Sequence, residues 1–124
     1  MLDHITFRVS DIKKAEAFYT AALKPLGYSL SFDQTFDDSV RVIGFGKGGK
    51  IDTWFTADKP VSGPAHISWK AESKEQVDEF YKAALAAGGK DNGAPGIRTE
   101  YHENYYGAFV LDPDGNNVEA VFGN

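Results

Sequence analysis

The chain has 124 residues, of which 42% are hydrophobic, 25% charged and 14% aromatic; that is one domain's worth of ordinary globular composition, and it excludes a disordered, collagenous or low-complexity chain. Thirteen Lys and Arg against 18 Asp and Glu give a net charge of -5, which argues against nucleic acid and against an anionic membrane surface and leaves small molecules as the expected ligands. With no cysteine, disulfide scaffolds, thiolate nucleophiles and Cys-ligated metals are excluded; no apolar run reaches the ~18 residues of a membrane span, and the charged start Met1-Leu2-Asp3-His4 does not read as a secretory signal, so a soluble, cytoplasmic protein is expected.

Alternation opens the chain, with Ile5, Phe7 and Val9 on one side of a strand and His4, Thr6 and Arg8 on the other. Asp11 stands where a helix N-cap belongs, ahead of Ile12, Ala15, Phe18, Tyr19, Ala22 and Leu23 at helical spacing, and Pro25 and Gly27 stop that helix. Strands are predicted over Tyr28 to Phe32, Val40 to Gly46 and Ile51 to Thr56, the last two joined through Lys47-Gly48-Gly49-Lys50. Lys59-Pro60-Val61-Ser62-Gly63-Pro64 reads as a linker. The order then recurs: alternating His66 to Lys70, an N-cap at Ser73, a helix carrying Val77, Phe80, Tyr81, Ala84 and Leu85, and a stop at Gly88-Gly89. Asp91-Asn92-Gly93-Ala94-Pro95-Gly96 reads as a turn-rich stretch. Strands follow over about Ile97 to His102, Ala108 to Leu111 and Val118 to Phe122, the last preceded by the turn Asp112-Pro113-Asp114-Gly115-Asn116.

The recurrence has a fixed register. At an offset of 62, His4-Ile5-Thr6-Phe7 falls on His66-Ile67-Ser68-Trp69, Phe18 to Leu23 on Phe80 to Leu85, and Gly27 on Gly89. One offset that holds from strand through helix to glycine predicts a duplicated strand–helix–three-strand unit, 1–58 and 65–124, joined at 59–64. Neither unit, at about 60 residues with one helix, is expected to bury a core by itself.

A helix covering one side of each sheet leaves His4, Thr6, Arg8, His66, Ser68 and Lys70 on the opposite, concave face. Setting Gly48 against Gly115 aligns Ile51 to Phe55 with Val118 to Phe122 and matches Asp52 to Glu119. His4, Asp52, His66 and Glu119 then form a candidate ligand set for a divalent ion, since imidazole and carboxylate suit Zn, Ni, Fe(II), Mn or Co, and two His with one carboxylate is the set of non-haem Fe(II) oxygenases. Such an ion acidifies bound oxygens, and Glu119, if loosened, serves as general base. The competing reading makes the histidines hydrogen-bonded surface residues and Asp52 a solvated edge residue. Beyond the turn-rich stretch, Arg98 is a candidate for holding a substrate carboxylate, Tyr101, Tyr105 and Tyr106 for an aromatic wall, and His102 for a second acid–base group; equally, the tyrosines pack with wet hydroxyls. Arg8 and Trp54 are further substrate-binding candidates, Trp54 otherwise being a core aromatic. Phe18-Tyr19 and Phe80-Tyr81 are assigned to packing.

Over nearly the whole length, Asp3-His4-Ile5-Thr6-Phe7-Arg8-Val9-Ser10-Asp11, Ala17-Phe18-Tyr19, Leu26-Gly27-Tyr28, the second His66 and the closing Leu111-Asp112-Pro113-Asp114-Gly115-Asn116-Asn117-Val118-Glu119 resemble the vicinal oxygen chelate superfamily, which holds glyoxalase I, extradiol dioxygenases, methylmalonyl-CoA epimerase, and the fosfomycin and bleomycin resistance proteins. The resemblance implies an α+β fold of two βαβββ modules pairing into a cup-shaped eight-stranded mixed sheet, with helices on the outer face. It implies metal ligands on the first and last strands of each module, which carries onto His4, Asp52, His66 and Glu119, and a homodimer. The implied function is a metal-dependent lyase, isomerase or dioxygenase acting on a small substrate with vicinal oxygens; the alternatives are a metal-free binding or drug-sequestering cup and a module that has the fold alone. Asp52 stands where Glu is more usual, and the basic groups that hold the glutathione carboxylates in glyoxalase I have no clear counterpart.

Overall fold

The computed structural model describes residues 2–59 and 63–124, so residues 60–62 of the expected linker lie outside the described residues. Strand β1 (Ile5–Arg8) leads into helix α1 (Ile12–Leu23), a 3-10 turn at Lys24–Leu26, and strands β2 (Ser29–Phe36), β3 (Val40–Lys47) and β4 (Lys50–Thr56). Strand β5 (His66–Lys70), helix α2 (Lys74–Ala86), and strands β6 (Lys90–Ile97), β7 (Tyr106–Leu111) and β8 (Asn117–Phe122) repeat that order. The caps act as expected. Asp11 Oδ1 accepts from Lys13 N at 3.0 Å and Lys14 N at 3.1 Å, and Ser73 Oγ accepts from Gln76 N at 3.1 Å, satisfying N–H groups that the first turn leaves open. Gly27, at φ 88°, closes the first helical stretch in the left-handed region that glycine enters without steric cost.

The eight strands form two four-stranded mixed sheets, ordered β1-β4-β3-β2 and β5-β8-β7-β6. In each, the first strand runs parallel to the last (β1 with β4, β5 with β8), and the other pairings are antiparallel. The apolar side of both sheets carries the helices. One core cluster includes Phe7, Phe18, Tyr19, Phe45 and Phe55 from the first half and Trp69, Val77, Phe80, Val110 and Ala120 from the second.

One element differs from the sequence expectation. Asp91 to Gly96, expected as a turn, lies within strand β6, while Thr99 to Tyr101, expected in a strand, forms a turn. Among the described residues β6 is an edge strand, hydrogen-bonded only to β7, which is where a strand tolerates a proline such as Pro95, and register shifts between Asp91 and Gly93 and between Gly93 and Gly96 absorb the glycines as bulges. The turn that follows is closed by Tyr101 N and His102 N on Arg98 O and by Tyr105 N on His102 O.

Candidate functional site

The site is best built from its most buried charge. Strand β8 sits between β5 and β7, opposing Glu119 to Ser68 on one side and to Phe109 on the other. Val118 and Ala120 point into the core, so alternation sends Glu119 to the opposite face, where it is nonetheless only 1% exposed. Its Oε1 lies 2.9 Å from His66 Nε2, and its Oε2 accepts from the Tyr105 hydroxyl. His66 is half exposed, its Nδ1 lies 2.9 Å from the Asn117 amide nitrogen, and among the described residues the Asn117 side-chain oxygen is buried without a partner. Burial, then the hydrogen bond to Glu119, pushes the Tyr105 hydroxyl pKa up, which keeps it a donor. Gly107 makes room for this arrangement: a β-carbon there would meet Tyr105 Cε1 at 3.1 Å and Glu119 Oε2 at 3.2 Å.

His66 borders two cavities. One, of about 370 Å³, lies between the halves and is lined by His4, Tyr28, Asp52, Ser68 and Lys70, among others. In it Asp52 accepts from Tyr28 OH at 2.8 Å and Thr53 Oγ1 at 2.9 Å, and Thr53 Oγ1 in turn receives Trp69 Nε1 at 3.2 Å. Burial and then Asp52 push the Tyr28 hydroxyl pKa up. His4 turns its Nδ1 to Asp3, 2.7 Å away, and the Lys50 and His4 hydrogen bonds pull the Asp3 carboxyl down to about 2. The second cavity, of about 290 Å³, is lined by Asn92, Arg98, Glu100, Tyr101, Phe109 and Asn117 in addition to His66.

Strand register corrects the repeat correspondence drawn from the turns. Ile5 pairs with Thr53 and Ile67 with Val118, so Asp52 is equivalent to Asn117, and the counterpart of Glu119 is Trp54. The reason lies in the connections: Lys47 pairs with Lys50 across a two-residue turn, whereas Leu111 pairs with Asn117 across five residues, and matching Gly48 to Gly115 slides the strands by two. Trp54 packs edge-on against Phe32 at 5.2 Å and covers Gly44, where a β-carbon would meet its ring at 2.7 Å.

Other expected site residues lie elsewhere. Tyr106 faces α2, donating to Asp78 Oδ1 at 2.6 Å, because Tyr106 shares the strand phase of the core residues Ala108 and Val110. His102 is exposed in the turn after β6, where its Nδ1 accepts from Asn104 N at 3.2 Å, and it lines neither cavity. Arg8 pairs with Asp58 at 3.2 Å, likewise outside both. Arg98 and Tyr101 do line the second cavity. Asn117 escaped the sequence reading. Tyr105, expected only as part of an aromatic wall, instead holds Glu119, a role readable in phase, since Tyr105, Gly107 and Phe109 alternate with core-facing Ala108 and Val110.

Two donor atoms 2.9 Å apart have the spacing of ligands at right angles about a six-coordinate divalent ion with bonds of about 2.1 Å, so His66 and Glu119 fit as two members of a ligand set. Among the described residues no group of three His, Asp or Glu side chains is assembled for an ion.

This architecture belongs to a known class. The chain belongs to the glyoxalase/bleomycin resistance protein/dioxygenase superfamily, whose family profile matches residues 1–120. Among solved structures it is similar to a glyoxalase/bleomycin resistance protein from Albidiferax ferrireducens T118, with 25% identity, a TM-score of 0.77 and 98% of each chain covered. A superfamily member from Sphaerobacter thermophilus DSM 20745 matches with 24% identity and a TM-score of 0.64, over 98% of this chain and 96% of that one. Glyoxalase I from Zea mays matches with 21% identity and a TM-score of 0.69, over 97% of this chain but 43% of the maize chain. No curated protein matches the chain significantly. No helix among the described residues is long and apolar enough to cross a membrane.

Proposed function

We propose that the protein is a metal-dependent enzyme of the glyoxalase/dioxygenase type, favouring lyase or isomerase chemistry on a small substrate with vicinal oxygens, and that it works as a homodimer. The observation that carries the reading is a carboxylate buried to 1% exposure whose Oε1 stands 2.9 Å from His66 Nε2. A buried carboxylate is costly unless a cation or several donors meet it, and here the donors are one imidazole and one phenol. His66 and Glu119 are the first two ligands. Since no third gathers with them among the described residues of one chain, His4 of a second copy completes a two-His, one-carboxylate set. Asp52, held by Tyr28 and Thr53 and equivalent in register to Asn117, is left outside it.

When bound, a divalent ion at these ligands supplies a Lewis acid that acidifies substrate oxygens. The protein's own part is to orient and to move protons. With Nε2 as the ligand atom the His66 proton belongs on Nδ1, where the side-chain oxygen of Asn117, turned toward it, would accept it and fix the ring; Tyr105 holds one oxygen of Glu119, and Glu119 is the base expected to take a proton from the substrate.

Metal content separates the possibilities. Protein purified without chelator is expected to carry close to one Zn, Ni, Fe(II), Mn or Co per chain, and His4→Ala, His66→Ala and Glu119→Ala to lose it. Mixed dimers of His4→Ala and Glu119→Ala chains have one intact site built from the unmutated halves, so isolated mixed dimers are expected to carry about half the metal of the wild type and a randomly assorted co-expression about a quarter. No recovery in mixed dimers would rule out ligand sharing. A wild type without metal that gains no thermal stability from any of these ions would leave a metal-free, ligand-sequestering cup.

A further inference from the structure

Arg98 is the least explained charge near the site. Its Nη2 donates to Ala94 O at 2.6 Å, and its guanidinium carbon lies 5.5 Å from the Phe109 ring centroid, over the aromatic face. Two glycines of β6 make space for it. A β-carbon at Gly96 would stand 3.0 Å from Nη1, and one at Gly93 would stand 3.3 Å from Nη2 and 2.9 Å from Phe109 Cδ1. Gly93 also takes φ 152°, a region that side chains rarely adopt. The stretch Asp91-Asn92-Gly93-Ala94-Pro95-Gly96 is thus a cradle for one guanidinium.

That cradle fixes the group without neutralising it. A guanidinium has five N–H donors, and among the described residues Ala94 O is the only side-chain hydrogen-bond partner of Arg98, while no carboxylate comes within ion-pair distance. Glu100 borders the same cavity without reaching that distance. The free donors border a cavity of about 290 Å³ that His66 also lines. A fork of N–H groups held by packing matches a planar carboxylate in two parallel hydrogen bonds, and holding it in advance removes the rotamer entropy that a free arginine would lose on binding.

We infer that Arg98, set by Gly93, Ala94, Gly96 and Phe109, is the carboxylate clamp of the site, so that the substrate is a small carboxylic acid whose carboxylate docks in the β6 cradle. This rests on the functional reading above, because it assigns the far end of the molecule whose neighbouring oxygens that reading sets at His66 and Glu119.

The test uses 3,4-dihydroxybenzoate, whose neighbouring phenolic oxygens lie across the ring from its carboxylate, and its neutral analogue 3,4-dihydroxybenzamide, titrated calorimetrically into the whole chain as purified, with metal content measured on the same samples. The acid is expected to bind at least about tenfold more tightly than the amide. Arg98→Gln, which removes the cation and the fork, and Gly96→Ala, whose methyl displaces Nη1 and otherwise approaches only Ala94 O at 4.0 Å, are both expected to remove most of that preference with metal content and melting temperature unchanged. Equal binding of acid and amide, no binding of the acid at millimolar concentration, or an undiminished preference in both variants would overturn the clamp. A metal-free protein that still prefers the acid through Arg98 would instead overturn the metal reading and leave the clamp standing.

Discussion

Glu119 and Tyr105 show how much a single hydroxyl decides. Glu119 is 1% exposed, and Tyr105 provides the donor to one of its two oxygens. Removing only that hydroxyl, as in Tyr105→Phe, leaves the oxygen without a partner where water scarcely reaches, a loss of about 1–3 kcal/mol. Chemical denaturation at pH 7 is expected to read that cost directly, and metal affinity is expected to fall with it, because an orienting partner of a ligand has gone. Full stability in the variant would mean that solvent reaches Oε2 and that Tyr105 does not position the carboxylate. The histidines and Glu119 were legible as residue types on alternating strands, and strand phase alone points Tyr105 inward and Tyr106 toward α2. What the residues could not convey was register. A two-residue turn and a five-residue turn both carry glycine, so Asp52 looked like the counterpart of Glu119 until the pairing of Ile5 with Thr53 and Ile67 with Val118 put Trp54 there.

At the scale of elements, the turn between β7 and β8 places the site. Asp112 Oδ1 accepts from the backbone of Asp114 at 2.9 Å and Asn116 at 2.8 Å, while Oδ2 accepts from Asn116 Nδ2 at 2.9 Å and from Tyr19 OH of α1 at 2.6 Å. Asn116 Oδ1 in turn accepts from Ala65 N, and Asn117 N donates to Ala65 O, both at 2.8 Å, which sets β8 against the start of β5 and so Glu119 beside His66. The segment was legible as a turn, but its bond across 93 residues to Tyr19 was not, since local pattern carries no information on a distant partner. Tyr19→Phe is expected to cost about 1.5–3 kcal/mol at pH 7, the range for a hydrogen bond to a charged group. Alkali adds a signature. Burial first, then the Asp112 charge, holds the Tyr19 pKa well above its usual value, so the folded state keeps a proton that the unfolded chain releases above about pH 10. That stability is present below pH 10 and is lost as the pH rises toward the folded-state value. Wild type should therefore lose up to about 1.4 kcal/mol per pH unit through this one residue, while Phe has no proton to lose. The gap between the two proteins is expected to narrow above pH 10, and denaturation curves that stay parallel from pH 8 to 11 would refute the assignment. The β6 segment lies at the other limit of legibility, because Gly-Ala-Pro-Gly has the composition of a turn and becomes an edge strand only through its pairing with β7.

For the whole molecule, the question is whether the duplicated halves are independent. Their internal symmetry invites that view, and their interior opposes it. Trp69 of β5 lies 6.5 Å from Phe7 and 6.2 Å from Tyr19 between ring centroids, and its indole N–H reaches Thr53 of β4, a residue only 2% exposed. The helices pack against one another, and α2 also meets the 3-10 turn that follows α1. Cutting the chain in the linker would expose Trp69, Phe7 and Tyr19 on the two fragments, at about 1.5–3 kcal/mol for each large apolar side chain returned to water, against a net stability of about 5–15 kcal/mol for a domain of this size. Fragments 1–58 and 65–124, expressed separately, are therefore expected to show neither cooperative melting nor dispersed amide spectra, whereas the whole chain is expected to unfold in one transition in which the fluorescence of Trp54 and Trp69 and the backbone circular dichroism coincide. A fragment that folds alone, or two resolved transitions in the whole chain, would make the molecule a pair of linked units. The metal reading would then lose its support from a rigid second half, because the placement of His66 against Glu119 depends on a turn that is anchored to α1 of the first half.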